Sequence, residues 1–208
     1  ELTWGLILSL ARNIALEDHA TRNGAWQTTI GPSLERKVLG VIGLGNLGSQ
    51  VVTVGRALQM DVIAWSQNLT MERAAEFGAR LVSKNELLAT ADVITIHLVL
   101  SDRTRGLIGA DELALMKRTA LIVNTSRGPI IDEGALIAAL EAKQIGGAAL
   151  DVFDEEPLPA GHKLRGLANT VITPHIGYVS SDNYRLFYGE AVEDIAGFLD
   201  GAPVRVVE

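Results

Sequence analysis

The stretch VLGVIGLGNLG at residues 38–48 decides the fold. Its first part, 38–42, is a short apolar run typical of a buried β-strand, and helix-forming residues follow its last glycine. Gly43, Gly45 and Gly48 stand between the two elements in the spacing G-x-G-x-x-G. In that position the first glycine permits a tight turn, the second lets a pyrophosphate approach the backbone, and the third lets the helix pack closely on the strand. The stretch therefore predicts a dinucleotide-binding loop.

Two further places in the sequence bear on this dinucleotide. The pyrophosphate is expected on the backbone N–H groups of Asn46 and Leu47, at a helix N-terminus. The next strand of such folds ends in an acidic residue that binds the ribose of NAD, but here Ser66 stands there, followed by two amide residues. No carboxylate repels a 2′-phosphate, and the nearest following arginine, Arg73, is a helical turn away. The sequence therefore leaves the choice between NAD and NADP open.

The rest of the chain alternates short apolar runs with helical segments. The runs at 38–42, 61–65, 93–96, 120–123, 147–150 and 171–173 are too short for helices and predict strands. Helices are predicted at 1–20, 47–58, 70–77, 84–89, 111–116, 132–143 and about 180–199. Apolar strands joined by helices imply right-handed crossovers and a parallel sheet that is covered on both faces. The predicted fold class is therefore α/β, a Rossmann-type doubly wound sheet.

Composition excludes several classes of function. The chain has 208 residues and a net charge of -7, which disfavours nucleic acid as a partner. It contains no cysteine, which excludes disulfides, zinc–thiolate sites and a cysteine nucleophile, and no metal site is predicted. No apolar run approaches 18 residues, so no membrane span is expected. These features fit a cytoplasmic enzyme without proving that location.

Three polar side chains follow apolar strands in the second half of the chain: Arg127, Glu156 and His175. Loops at the carboxyl ends of parallel strands converge on the ligand crevice. A guanidinium there can hold a carboxylate through two parallel hydrogen bonds. A carboxylate beside an imidazole favours its protonated form, which suits a proton donor. We therefore predict that Glu156 pairs with His175 and that Arg127 binds an anionic substrate.

Four motifs in this order and spacing resemble the D-isomer specific 2-hydroxyacid dehydrogenase family, which includes phosphoglycerate, lactate, and glyoxylate or hydroxypyruvate members. The motifs are GLGNLG, NTSRGPIIDEGAL, ALDVFDEEPLP and TPHIGYVS, and the likeness runs over nearly the whole chain. The resemblance implies that Arg127 binds the substrate carboxylate, that His175 is the acid/base, and that Glu156 tunes His175.

The same resemblance assigns residues to the cofactor. It implies that Asp151 contacts the nicotinamide carboxamide and that Leu98, Thr125 and Ser126 line the cofactor. Ser66 matches the position of the ribose-binding aspartate, and this departure weakens the usual assignment of NAD. NAD and NADP are therefore both carried forward as cofactors.

The implied activity is hydride transfer between NAD(P)H and a small 2-oxo or 2-hydroxy acid, which the motifs do not specify further. Formate dehydrogenases share the fold but have glutamine in place of Glu156. The glutamate in this chain therefore disfavours formate dehydrogenase activity. One alternative is a corepressor-like module of this fold, which binds the dinucleotide as a sensor and can retain all three side chains. Another is an isolated cofactor-binding domain that is inactive without a partner domain.

The resemblance also predicts the domain organisation. Residues 1–208 are expected to form one NAD(P)-binding domain, with a lead-in helix at 1–20 and a C-terminal helix and tail at 180–208. Family members have a smaller, largely N-terminal domain on the substrate side, and most of it is expected to be absent from this chain. They usually dimerise through the cofactor domain, so a homodimer is expected, with the apolar helix at 2–14 as a candidate interface.

Overall fold

The computed structural model describes residues 1–206. In this part of the chain the strands are β1 (Val38–Ile42), β2 (Asp61–Trp65), β3 (Arg80–Leu81), β4 (Val93–Ile96), β5 (Leu121–Asn124), β6 (Gly147–Leu150) and β7 (Thr170–Ile172). The helices are α1 (Leu2–Arg12), α2 (Ile14–Arg22), α3 (Asn46–Ala57), α4 (Met71–Glu76), α5 (Lys84–Thr90), α6 (Ala110–Leu115), α7 (Glu133–Glu141) and α8 (Ser181–Leu199). Short 3-10 helices span Gly128–Ile130 and Lys163–Gly166.

All the strands belong to one sheet with the order β3-β2-β1-β4-β5-β6-β7, and every pairing in it is parallel. The carboxyl ends of the strands consequently lie at one edge. The chain runs outward in opposite directions from β1 and β4, so the boundary between these two strands is the switch point where doubly wound folds bind ligands. The predicted Rossmann-type fold class is confirmed.

The core lies on both faces of the sheet, because alternate residues of each buried strand point to opposite sides. On one side, Ile94 and Ile96 of β4 belong to a cluster that includes Leu87 of α5 and Leu136 of α7. On the other side, strand residues such as Val41 pack in a cluster with side chains of α1 and α3. Helices therefore cover both faces, as the sequence predicts.

The predicted single helix at 1–20 is wrong. The structure ends α1 at Arg12 and begins α2 at Ile14, because Asn13 between them adopts the left-handed conformation with φ 53° and ψ 35°. Asparagine tolerates this conformation better than most residues, since its short polar side chain can bond locally. Of these two helices, α1 contributes buried side chains to the core and α2 contributes none. The two-residue strand β3 is also absent from the prediction, because it is too short to produce a periodic pattern.

Residues 1–175 form one compact unit, and the described residues from 176 to 206 belong to a second. In the second unit, α8 begins where the Ser180 hydroxyl accepts a hydrogen bond from Asn183 N–H (3.2 Å), and it extends to Leu199 as predicted. Beyond the helix, Arg205 pairs with Glu193 (2.7 Å) and Asp194 (2.9 Å). The predicted tail continues to residues 207 and 208, which lie outside the described residues. None of the helices described in residues 1–206 is long and apolar enough to cross a membrane.

Candidate functional site

The glycine-rich loop joins β1 to α3 through two close backbone contacts. Gly43 has φ +98°, and its N–H donates a hydrogen bond to Trp65 O at the end of β2 (2.8 Å). A Cβ on Gly48 would lie 2.1 Å from Gly43 O, a distance that no real side chain can adopt. The third glycine of the motif is therefore required for α3 to pack against the loop.

The N-terminus of α3 offers a site for an anion. Ser49 N–H donates to Gly45 O (2.9 Å), so the N–H groups of Asn46, Leu47 and Gly48 precede this bond in the first turn of the helix. Gly45 is exposed, and a Cβ built on it would meet no atom within 4 Å. The open space in front of Gly45 and these donors fit the pyrophosphate of a dinucleotide.

At the adenosine end of this site, the described residues directly after β2 are the uncharged Ser66, Gln67 and Asn68. Ser66 follows β2 directly and is half-buried beside the glycine-rich loop. The guanidinium of Arg73 bonds Glu76 (2.7 Å) and lies 4.4 Å from the ring centroid of Phe77. In this structure Arg73 therefore pairs with residues on its own helix and directly after it.

The end of β4 lies next to the same loop. The Leu98 Cδ2 atom would lie 2.9 Å from a Cβ on Gly43, so this side chain covers the first glycine. His97 Nε2 is 2.9 Å from the Thr95 hydroxyl. Burial, with a smaller contribution from the positive charge of the N-terminal amine, lowers the pKa of His97 to about 4. His97 is therefore neutral near pH 7.

The loop after β5 presents Arg127 and is closed by a buried side chain that the sequence analysis missed. Asn124 is 1% exposed. Its Nδ2 donates to Arg127 O (2.8 Å), and its Oδ1 accepts from Ser126 N–H (3.0 Å). One amide therefore fixes both ends of the turn. The only sequence signal is a polar residue at the end of the apolar run LIVN.

The hydroxyls of Thr125 and Ser126 are bonded to other parts of the protein. Thr125 Oγ1 lies 2.9 Å from Thr3 Oγ1 in α1. Ser126 Oγ donates to Ile96 O at the end of β4 (2.8 Å). Both residues lie at the carboxyl edge, as predicted. A hydroxyl has one donor and two acceptor lone pairs, so both side chains keep hydrogen-bonding capacity beyond these bonds.

Glu156 and His175 form the predicted pair. Glu156 Oε2 lies 2.5 Å from His175 Nδ1, and Glu156 Oε1 accepts from Phe153 N–H (2.9 Å). Partial burial raises the pKa of Glu156, but the hydrogen bonds from His175 and Phe153, with the charges of His175 and Arg127, outweigh it and lower that pKa. Glu156 is therefore ionised at neutral pH beside the imidazole, and the guanidinium of Arg127 is close enough to act on it.

The loops that carry Arg127 and Glu156 pack directly on each other. A Cβ on Gly128 would lie 2.1 Å from the carbonyl carbon of Phe153 and 2.6 Å from Asp154 N. Only a glycine after Arg127 permits this contact between backbones. The spacing of the two functional loops therefore depends on Gly128.

Asp151 lies directly after β6 and is 1% exposed. Its Oδ1 accepts a hydrogen bond of 2.5 Å from the hydroxyl of Thr173, and its N–H donates to Asn124 O (3.0 Å). The structure therefore brings the carboxylate predicted for the carboxamide to the same edge as Arg127 and His175. Thr173, like Asn124, is a residue of this site that the sequence analysis did not assign.

A cavity of about 930 Å³ lies at the opposite, amino edge of the sheet. Residues around it include Leu10, Lys37, Asp92, Arg118 and Asn169. Several of these residues precede strands, so the cavity is distant from the glycine-rich loop and from Arg127 and His175. It is therefore not the predicted cofactor site.

Comparison with known proteins decides the family. Residues 4–177 match the model of the NAD-binding domain of D-isomer specific 2-hydroxyacid dehydrogenases. The chain belongs to this family. The predicted resemblance is thereby confirmed, and the glycine-rich loop described above is the loop of a family NAD-binding domain.

The relatives of this dehydrogenase-family chain are longer than it is. A glyoxylate reductase from Aeropyrum pernix is 41% identical over 97% of the chain, which spans 63% of that protein. A phosphoglycerate oxidoreductase from Vibrio cholerae, solved by crystallography, is 34% identical with a TM-score of 0.92, over 97% of this chain and 66% of that one. An acyclic imino acid reductase in complex with NADPH and D-Arg is 28% identical with a TM-score of 0.82, over 99% of this chain and 66% of that one.

Substitutions at two glycines separate dinucleotide binding from folding. For Gly45→Ala, we expect about tenfold weaker binding of NADH with a small change in stability, because the new methyl group enters only the open space before the helix. For Gly48→Ala, we expect the free energy of unfolding to fall by about 1–3 kcal/mol, because the methyl group meets Gly43 O. Titration calorimetry and urea unfolding measure the two effects. Unchanged NADH affinity in Gly45→Ala would contradict the assigned pyrophosphate position.

Proposed function

We propose that this chain is the cofactor-binding part of an NAD(P)-dependent D-2-hydroxyacid dehydrogenase. The enzyme would transfer a hydride between the cofactor and a small 2-oxo or 2-hydroxy acid. The observation that carries this proposal is the 2.5 Å contact between Glu156 and His175, with Arg127 close enough to act on Glu156. These side chains follow β5, β6 and β7, at the same edge as the glycine-rich loop that follows β1.

Arg127 is assigned to the substrate carboxylate. One of its donors, Nη1, already bonds Ser126 O (2.6 Å), which orients the planar guanidinium. A guanidinium has five N–H donors, so others can hold a carboxylate through two parallel hydrogen bonds. This attachment orients the neighbouring carbonyl group, and the positive charge stabilises the negative charge that develops on its oxygen.

His175 is assigned to proton transfer. Its Nδ1 faces Glu156, so Nε2 is the ring nitrogen that we assign to the substrate oxygen. The imidazole donates a proton to the carbonyl oxygen or, in the reverse direction, accepts one from the hydroxyl. The nicotinamide group supplies or accepts the hydride when the cofactor is bound.

The remaining predicted residues are assigned to the cofactor. Asp151 would accept a hydrogen bond from the carboxamide, and Leu98 with the backbone at Thr125 and Ser126 would line the nicotinamide side. Ser66 would contact the adenosine ribose. Since that end has neither a repelling carboxylate nor a positioned arginine, NAD and NADP both fit it.

Two substitutions test the assigned roles. We expect His175→Ala and Arg127→Ala to lower kcat/KM for glyoxylate or hydroxypyruvate by about 10²- to 10⁴-fold, because each removes an interaction with the reacting carbonyl or its carboxylate. The dissociation constant for NADH should change less than about twofold, since neither side chain belongs to the glycine-rich loop. Stopped-flow kinetics and NADH fluorescence titration give the two quantities.

Matched controls come from the opposite edge of the sheet. His19→Ala and Arg118→Ala remove exposed side chains of the same types beside the amino-edge cavity, and both should leave the rates unchanged. The assays compare the 208-residue chain with a longer protein that also contains a substrate-side domain, because the chain spans 63% of the glyoxylate reductase that it matches. Dinucleotide binding without turnover of any 2-oxo acid by the longer protein would favour the corepressor-like alternative.

We also propose that the chain forms a homodimer through this domain and works in the cytoplasm. The apolar side of α1 is buried in the chain's own core, so it does not supply the interface. Apolar side chains after it are exposed: Ile14 is 52% exposed, Trp26 77% and Ile30 100%. Exposed apolar groups in a continuous segment are typical of interaction surfaces. The lack of cysteine is compatible with a reducing compartment.

Light scattering after size-exclusion chromatography tests the dimer. We expect the chain to have twice its monomer mass, and Ile30→Glu to shift it toward the monomer, because a charge would be buried without a partner. Met71→Glu, on the 70% exposed Met71 of α4, is the matched control and should remain dimeric. A monomeric chain at all concentrations would refute the proposal.

A further inference from the structure

Thr173 forms hydrogen bonds with two of the assigned functional residues, Asp151 and His175. It directly follows β7, and its N–H donates to Leu150 O, which extends the pairing with β6 (2.9 Å). Its hydroxyl donates to Asp151 Oδ1 (2.5 Å), and its carbonyl accepts His175 N–H (3.1 Å). One residue therefore contacts both the carboxylate assigned to the carboxamide and the backbone of the assigned proton donor.

The hydroxyl of Thr173 fixes the orientation of a buried carboxylate. Asp151 is 1% exposed, and burying a carboxylate is costly unless hydrogen bonds satisfy it. Thr173 is well suited to this contact, because its branched side chain has few χ1 rotamers and its backbone is held by β6. Thr173 consequently holds Asp151 Oδ1 through a short hydrogen bond from a rigid side chain.

The carbonyl of Thr173 supports an unusual backbone conformation at His175. His175 has φ +56°, in the left-handed region that residues with a Cβ seldom adopt. Its N–H bond to Thr173 O and the contact between its ring and Glu156 both hold the residue in this conformation. Movement of Thr173 would therefore displace the imidazole as well as Asp151.

We propose that Thr173 is a positioning residue. Its hydroxyl orients Asp151 to accept a hydrogen bond from the cofactor carboxamide, and its carbonyl holds the backbone of His175 beside it. The inference rests on the proposed function, which assigns Asp151 to the carboxamide. Loss of the hydroxyl removes the hydrogen bond that holds Asp151 Oδ1. The protein then loses its preference for a carboxamide over a group without N–H donors, while the pyrophosphate contacts at the glycine-rich loop are unaffected.

The test compares three ligands by calorimetry on the 208-residue chain. NAD⁺ has the carboxamide, 3-acetylpyridine adenine dinucleotide has a methyl ketone instead, and ADP-ribose lacks the whole ring. We expect the chain to bind NAD⁺ about tenfold more tightly than the acetylpyridine analogue, the effect of one hydrogen bond to a charged group. Thr173→Val, which removes only the hydroxyl, should reduce this ratio to within about twofold of unity, and Thr173→Ser should retain it.

Each result decides between the inference and the function on which it rests. ADP-ribose affinity should be equal in all three proteins, and a general loss of structure would instead weaken all ligands together. A full carboxamide preference in Thr173→Val, or its loss in Thr173→Ser, overturns the role of Thr173 but leaves dinucleotide binding intact. If the unsubstituted chain binds neither NAD⁺ nor ADP-ribose, the proposed function fails, and the role of Thr173 fails with it.

Discussion

The parallel pairing of every strand is the constraint on which the candidate site depends. Because the strands all run in the same direction, the loops that follow β1, β4, β5, β6 and β7 emerge at one edge of the sheet. Residues far apart in sequence, from Gly43 to His175, are thereby brought to the same edge. The reversal of direction between β1 and β4 leaves space at that edge for a dinucleotide.

Glycines then set the distances between these loops more strictly than side chains could. Gly48 allows α3 to approach the turn at Gly43, and Gly128 allows the loop of Arg127 to contact the backbone at Phe153. Hydrogen bonds within and between the loops complete the arrangement, so that the polar groups of the site are held before any ligand arrives. Such preorganisation reduces the cost of orienting a substrate.

The sequence predicted most of the fold because the strands are apolar on both faces and because α4, α5 and α7 begin after Thr, Ser or Asp caps. It predicted the contact of Glu156 with His175 from their position after strands together with the family resemblance. It missed the break at Asn13, which depends on one backbone conformation within a continuous helical pattern. It also missed Asn124 and Thr173, whose importance comes from partners that the fold alone brings close: Arg127 O and Asp151.

Amide NMR of the ¹⁵N-labelled chain during titration with NADH tests the central claim most directly, because it shows at which edge of the sheet the dinucleotide binds. The account predicts chemical-shift changes at Gly45, Leu47, Ser126 and Asp151, at the carboxyl edge. Amides that line the amino-edge cavity, such as those of residues 118, 119 and 169, should be unaffected. Changes concentrated around that cavity, with none in the glycine-rich loop, would contradict the account.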